Sequence, residues 1–155
     1  IAAALMLDSR LLVADEVVSA LDVSIQSQIL NLLKKLQQTK QLTYFFISHD
    51  LNVIQYISDR IGVMYLGRLV EYGPVEAVYG RARHPYTRAL LSTVPSVDDG
   101  GVHRIILEGE VPSPLHPPAG CPFHTRCYEA REICARTRPE MKPVGGGHFA
   151  CCHFV

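Results

Sequence analysis

Asp15 and Glu16 stand side by side directly after the apolar run Leu11–Ala14, and a third acid, Asp22, follows six residues after Glu16. Like charges at the edge of a core are costly unless a cation or a reacting group lies between them. One acid of such a pair can hold Mg2+ through oxygen, and the metal can bridge nucleotide phosphates. Its neighbour can then orient and deprotonate an attacking water. The bland alternative is a pair that caps or flanks a loop. His49 ends a second apolar run, in Ile47-Ser48-His49-Asp50. It lies beside the same crevice if the two runs are neighbouring strands; a lone histidine there can also be structural. Cys121, Cys127, Cys134, Cys151 and Cys152 form a third group within 32 positions. Clustered cysteines in a reducing compartment point to metal more than to disulfides. Their spacing lacks the paired CxxC knuckles of common zinc sites, so structural zinc, an iron–sulfur cluster and free buried thiols all stay open.

The elements that must position these groups follow from pattern. Leu11–Ala14 suit a short buried strand, apolar on both faces as in a parallel sheet. Asp22 or Ser24 can cap a helix ending near Thr39, with Ile25, Ile29, Leu32, Leu33 and Leu36 at core spacing. Residues 42–48, rich in aromatic and β-branched side chains, read as a second strand. Asp50 can cap a short helix through Ile57, and residues 60–73 read as two strands around a turn at Gly67. Strand, helix, strand, helix, strand is a doubly wound α/β pattern. Further along, residues 74–80 and 84–95 read as short helices and 103–109 as an isolated strand. The opening IAAALML reads as a helix tail, and a first residue Ile1 in place of Met suggests truncation.

The bulk numbers narrow the function. The chain has 155 residues, 48% hydrophobic and 19% charged, enough for a core. Fifteen basic residues balance fifteen acidic ones, and no basic stripe of the nucleic-acid-binding kind is visible. The longest apolar run, Ile1–Leu7, falls far short of the roughly 20 residues that span a bilayer. No secretory leader is recognisable. A cytosolic chain is expected, with any membrane role borrowed from partners.

LLVADEVVSALDVSIQSQILNLL, then ISHDL, then VMYLGRLVEYG resembles the second half of the nucleotide-binding subunit of ATP-binding cassette transporters. HPYTRALLSTVP and CPFHTRC resemble, more narrowly, the subfamily that powers import of dipeptides and oligopeptides, some members carrying nickel. The resemblance implies an α/β fold: the C-terminal half of a P-loop NTPase (RecA-like) cassette domain over residues 1–82, and a cysteine-containing extension over 83–155. It implies ATP and Mg2+ as ligands, Asp15 as the metal-associated acid and Glu16 as the catalytic base. His49 would contact the γ-phosphate, and Ser19-Ala20-Leu21-Asp22 would cross to the partner subunit. It also implies a [4Fe-4S] cluster on Cys121, Cys127, Cys134 and Cys152, with Cys151 outside the set and zinc as the alternative metal. The implied partners are a homologous ATPase subunit, two transmembrane permease subunits and, indirectly, an extracytoplasmic peptide-binding protein. The implied location is the cytoplasmic face of the membrane.

Two departures stand out. The family usually has Pro-Thr where this chain has Val17-Val18, and losing a proline should loosen the turn leading to Asp22. No Gly-x4-Gly-Lys-Ser/Thr loop and no Leu-Ser-Gly-Gly-Gln signature occur in these 155 residues. These 155 residues alone are therefore expected not to bind ATP tightly. Two other readings are a soluble cassette protein acting on ribosomes or DNA, and a non-catalytic remnant serving as a metal-binding or interaction module. His84-Pro85-Tyr86-Thr87 marks the subfamily; it reads either as a docking or regulatory segment or as a helix start with Pro in its first turn.

Overall fold

The computed structural model describes residues 9–94 and 104–155. The expected helix tail at residues 1–7 lies outside them. The chain forms two compact units, dividing between Ser58 and Asp59.

In the first unit, β1 (Leu11–Asp15) and β2 (Thr43–Ile47) pair in parallel, from Leu11 opposite Thr43 to Asp15 opposite Ile47. Helix α1 (Val23–Lys40) links them, and α2 (Leu51–Ile57) follows. Both helices begin on carboxylates. Asp22 Oδ1 accepts the Ile25 N–H, and Asp50 Oδ1 accepts those of Asn52 and Val53. The core contains Val18, Leu30, Leu33, Val53 and Ile57, with Tyr44 and Phe46 packed against it. The buried stripe of α1 is therefore centred on Leu30 and Leu33, while Ile25 and Leu32 are exposed. The expected stripe was rotated by about one residue. On the sheet face away from this core, Leu11, Val13, Phe45 and Ile47 are exposed.

The third strand does not extend that parallel pair. Strands β3 (Arg60–Tyr65) and β4 (Arg68–Pro74) form an antiparallel hairpin belonging to a second sheet of order β3-β4-β6-β5. Leu66 and Gly67 both have positive φ, the geometry of a tight two-residue hairpin turn. Strands β5 (Lys142–Gly145) and β6 (His148–Ala150) come from the far end of the chain. β6 pairs with β4, Glu71 opposite Ala150 and Tyr72 opposite Phe149. Helices α3 (Val75–Gly80), α4 (Pro85–Leu91) and α5 (Glu132–Arg136) complete this unit. Residues 104–109 form no strand, contrary to their apolar alternation. They pair with no neighbouring strand, and Ile106 is exposed.

Glu71 sits at the centre of the second unit with no exposed surface. Its carboxylate accepts the backbone N–H of Arg83 (2.6 Å) and His84 (2.9 Å), and His148 Nε2 lies 2.7 Å from Oε1. An ionised carboxylate only accepts, so His148 carries its proton on Nε2. One acid thus joins β4, the start of α4 and β6. His84 in turn caps α4, its Nδ1 accepting the Tyr86 N–H at 3.1 Å. Burial holds the His84 imidazole down at about 4, with the Glu71 charge opposing the shift and Arg88 adding to it. The His84-Pro85-Tyr86-Thr87 segment is thus a helix start with packed faces, Pro85 and Thr87 both being buried.

Two outcomes test this network. Glu71→Ala leaves three buried donors without their acceptor and is expected to lower unfolding stability by about 3–5 kcal/mol. Urea denaturation measures it, and a loss below about 1 kcal/mol would count against the network. His84 has a lower pKa folded than unfolded, so the unfolded chain binds more protons between the two values. Its contribution is present above the unfolded value near 6.5 and is lost as pH falls toward about 4, on the order of 3 kcal/mol in all. His84→Asn keeps a cap acceptor while removing the titration. The melting temperature of that variant should fall less steeply than that of the unsubstituted chain between those pH values.

Candidate functional site

Parallel pairing of β1 with β2 brings their carboxyl ends to one level. The Glu16 N–H donates to Ile47 O at 2.9 Å, carrying the pairing one residue beyond the strand. Glu16 has φ +46°, a left-handed conformation uncommon for a residue with a Cβ. Its Oε1 lies 2.9 Å from His49 Nδ1, and both side chains are more than half exposed. The ionised carboxylate requires the proton on Nδ1, which leaves Nε2 as the open edge of the ring. Glu16 and His49 are thus brought together, open to solvent, at the strand ends where open α/β sheets bind ligands. Asp15 is exposed beside it.

The Glu16–Leu21 segment is closed by backbone bonds from Ser19 N to Glu16 O and from Leu21 N to Val18 O. Ser19 Oγ adds a bond to Glu16 O at 2.9 Å. Val18 is buried in the core and Val17 packs against it. Apolar burial and three hydrogen bonds hold this turn, which has Val17-Val18 in place of a proline. Asp22 is occupied as the cap of α1.

In the second unit Cys121, Cys127, Cys134 and Cys152 line one small cavity, with about 10 Å³ of open volume, on the order of a single water. Cys151 is outside it; its Sγ donates to Pro139 O at 2.9 Å. The cavity wall includes Phe123, which has no exposed surface and touches Tyr65, Tyr86 and His84 at ring-centroid distances of 5.1, 5.3 and 5.7 Å. Burial raises the Cys121 thiol, opposed by the Phe123 amide, and pushes Cys127 up to about 11, opposed by the Glu129 amide. Gly120 enters this loop with φ +67°, and a Cβ there would lie 2.3 Å from Cys134 O. Only glycine lets the turn before Cys121 approach α5 so closely. The donor set is of the kind that holds thiophilic metals. Among the described residues, however, no three or more His, Cys, Asp or Glu side chains close around a single ion. Burial of Cys121 and Cys127 opposes the thiolate form that a metal ligand requires.

Sequence reasoning missed Glu71 and His148, the buried pair beneath the thiol segment. Glu71 sits between Val70 and Tyr72 in an ordinary strand alternation, where an acid normally faces water. Three consecutive glycines before His148 were the one local signal of a tight β5–β6 turn.

Residues 70–134 match the family described as Oligopeptide/dipeptide transporter, C-terminal region. The oligopeptide transport ATP-binding protein AppF of Bacillus subtilis is 53% identical over 156 residues, covering 99% of this chain and 47% of the relative. The dipeptide transport ATP-binding protein DppF of Escherichia coli is 51% identical over 152 residues, covering 97% of this chain and 46% of that protein. The chain spans about half the length of the curated relatives it matches, and no helix among its described residues is long and apolar enough to cross a membrane. The α/β fold is the one expected of the C-terminal half of their cassette. On these grounds the chain belongs to the ATP-binding proteins of the oligopeptide/dipeptide transporter family.

Proposed function

We propose that this chain supplies the hydrolytic half of an ATP site in a peptide importer, for dipeptides, oligopeptides or nickel. The observation that carries the reading is the 2.9 Å contact of Glu16 with His49 at the ends of two parallel strands. Glu16 acts as general base toward the attacking water, and His49 offers its open Nε2 edge to the phosphate oxygens. Asp15, an exposed carboxylate beside them, supplies oxygen of the kind Mg2+ prefers. Bound Mg2+ neutralises charge developing on the transferring phosphoryl group. Ser19 and Asp22 act through position: Ser19 ties the turn to Glu16 O, and Asp22 fixes the start of α1. From that turn they meet a homologous ATPase subunit. Closure of the pair on ATP would drive two transmembrane permease subunits at the cytoplasmic face, fed by an extracytoplasmic peptide-binding protein, with no nucleic acid involved. Residues 1–82 form the cassette part of this machinery and 83–155 the extension with the cysteines. The 155 residues alone, with no phosphate-binding loop among them, do not turn over ATP.

The finer assignment at the extension is a [4Fe-4S] cluster on Cys121, Cys127, Cys134 and Cys152. What supports it is that these four thiols line one cavity while Cys151 turns to Pro139; that cavity, on the order of one water, would have to widen to admit a cluster. Zinc on the same thiols is the alternative. A non-catalytic reading, in which the chain is a metal-binding or interaction module, draws support from the compactness of Asp59–Val155 as a unit.

Glu16→Gln in the full-length protein is expected to keep ATP binding and lower turnover by roughly 10²–10⁴-fold, the usual cost of losing a general base. Single-turnover hydrolysis measures this; turnover near the unsubstituted rate would remove Glu16 from its role and favour the non-catalytic reading. Protein purified without oxygen should be brown and carry iron with acid-labile sulfide. Serine at 121, 127, 134 or 152 should each strip that content, and Cys151→Ser should leave it. Colourless protein with stoichiometric zinc would replace the cluster by the alternative metal.

A further inference from the structure

The segment His84-Pro85-Tyr86-Thr87, which marks the subfamily and opens α4, lies against the thiol cavity. His84 and Pro85 line it, and Tyr86 packs on Phe123 in its wall. The next residue, Arg88, reaches the cavity through Glu129, which also lines it. Arg88 Nη1 donates to Glu129 Oε1 at 2.8 Å, and Nη2 donates to Oε2 at 2.9 Å. This is the planar fork-to-fork pairing that fixes position as well as charge. Nη2 also donates to Arg83 O at 3.3 Å, which ties the guanidinium to its own segment. The Glu129 backbone N–H meets the Cys127 sulfur, and the Tyr128 hydroxyl donates to Pro85 O at 3.5 Å. Residues 127–129 are therefore held against α4 at two points.

The charges around the cavity are uneven. Its lining holds one carboxylate, Glu129, and no lysine or arginine. A metal enters such a site as its ligand thiols ionise, which adds negative charge beside that carboxylate. Arg88 is the cation paired with Glu129, and Arg88 and Cys152 also feel each other's charge. One donor of the guanidinium is unspent: Nε is buried and bonds to nothing among the described residues. A buried donor without an acceptor is costly, and negative charge added nearby relieves part of that cost.

We propose that Arg88 is a positioning residue and the counter-charge of the thiol site. Its fork fixes Glu129, and with it the backbone N–H on Cys127. Its guanidinium offsets the charge of Glu129 and that of metal-bound thiolates. The segment that marks the subfamily thus builds one wall of the thiol site. That role rests on the reading that the four cysteines hold a thiolate-bound metal, and it is the same for an iron–sulfur cluster and for zinc.

The experiment compares the full-length protein, purified without oxygen, with its Arg88→Gln, Arg88→Lys and Glu129→Gln variants. Metal content identifies the occupant. For iron, a dithionite titration followed by electron paramagnetic resonance gives the midpoint potential; for zinc, release to EDTA gives the rate of loss. Arg88→Gln leaves Glu129 unopposed and should lower the midpoint, or speed zinc loss, by about three- to tenfold in the reduction equilibrium or the rate. Glu129→Gln leaves the guanidinium unopposed and should shift the same quantity in the opposite direction by a similar factor. Arg88→Lys, which keeps the charge, should recover most of the Arg88→Gln loss. A pair with a purely structural role would shift both glutamine variants the same way, because either substitution breaks it. The Arg88 and Glu129 side chains are 37% and 39% exposed, so the fold is expected to tolerate these changes, as melting curves would verify. Bound metal with shifts of one sign, or with none, would overturn the role of Arg88 alone. A metal-free unsubstituted protein would overturn the reading of the thiol site, and this role with it.

Discussion

A carboxylate with no access to water must find its donors inside the protein, and Glu71 is such a carboxylate. Two backbone N–H groups and one imidazole N–H meet it. They come from the start of α4 and from β6, segments separated from Glu71 by 12 and 77 positions. A β6 paired one residue out of register would leave this acid facing the wrong side chains, with a buried charge unpaired. The same requirement places His84 where its ring meets Phe123, and Phe123 in turn walls the thiol cavity. The cysteine segment, which has little regular structure of its own, is thus anchored through an aromatic cluster to a polar knot in the sheet.

The first unit solves a different problem with backbone alone. Glu16 and His49 meet because Asp15 is paired with Ile47 and the chain continues one residue further in step. Two helices, each started by an aspartate, cover only one face of this pair of strands among the described residues. The other face presents Leu11, Val13, Phe45 and Ile47 to solvent. A parallel sheet is ordinarily covered on both faces.

Much of the first unit was legible in the sequence because its signals are local. Phe45, Phe46 and Ile47 mark a strand, and Asp22 and Asp50 are caps; each acts within a few residues of itself. The meeting of Glu16 with His49 followed from strand order alone. The face of α1 was misjudged because Ile25 and Leu32 fit a helical stripe as well as Leu30 does, and only the neighbouring elements decide which stripe is covered. The second unit was less legible. Pairing of Glu71 and Tyr72 with Phe149 and Ala150 leaves no periodic trace, and Glu71 looks like any surface acid until its partners are known. Residues 104–109 failed in the opposite sense, with a strand-like alternation and no strand to pair with.

The backbone at Glu16 has one more consequence. A left-handed φ costs a residue with a Cβ about 1–2 kcal/mol relative to glycine. Asparagine tolerates that conformation better than glutamate does. Laboratory evolution for heat resistance alone would therefore drift toward Gly or Asn at position 16, gaining stability while discarding the carboxylate. A glutamate retained there after such a selection would report that something other than folding was being selected.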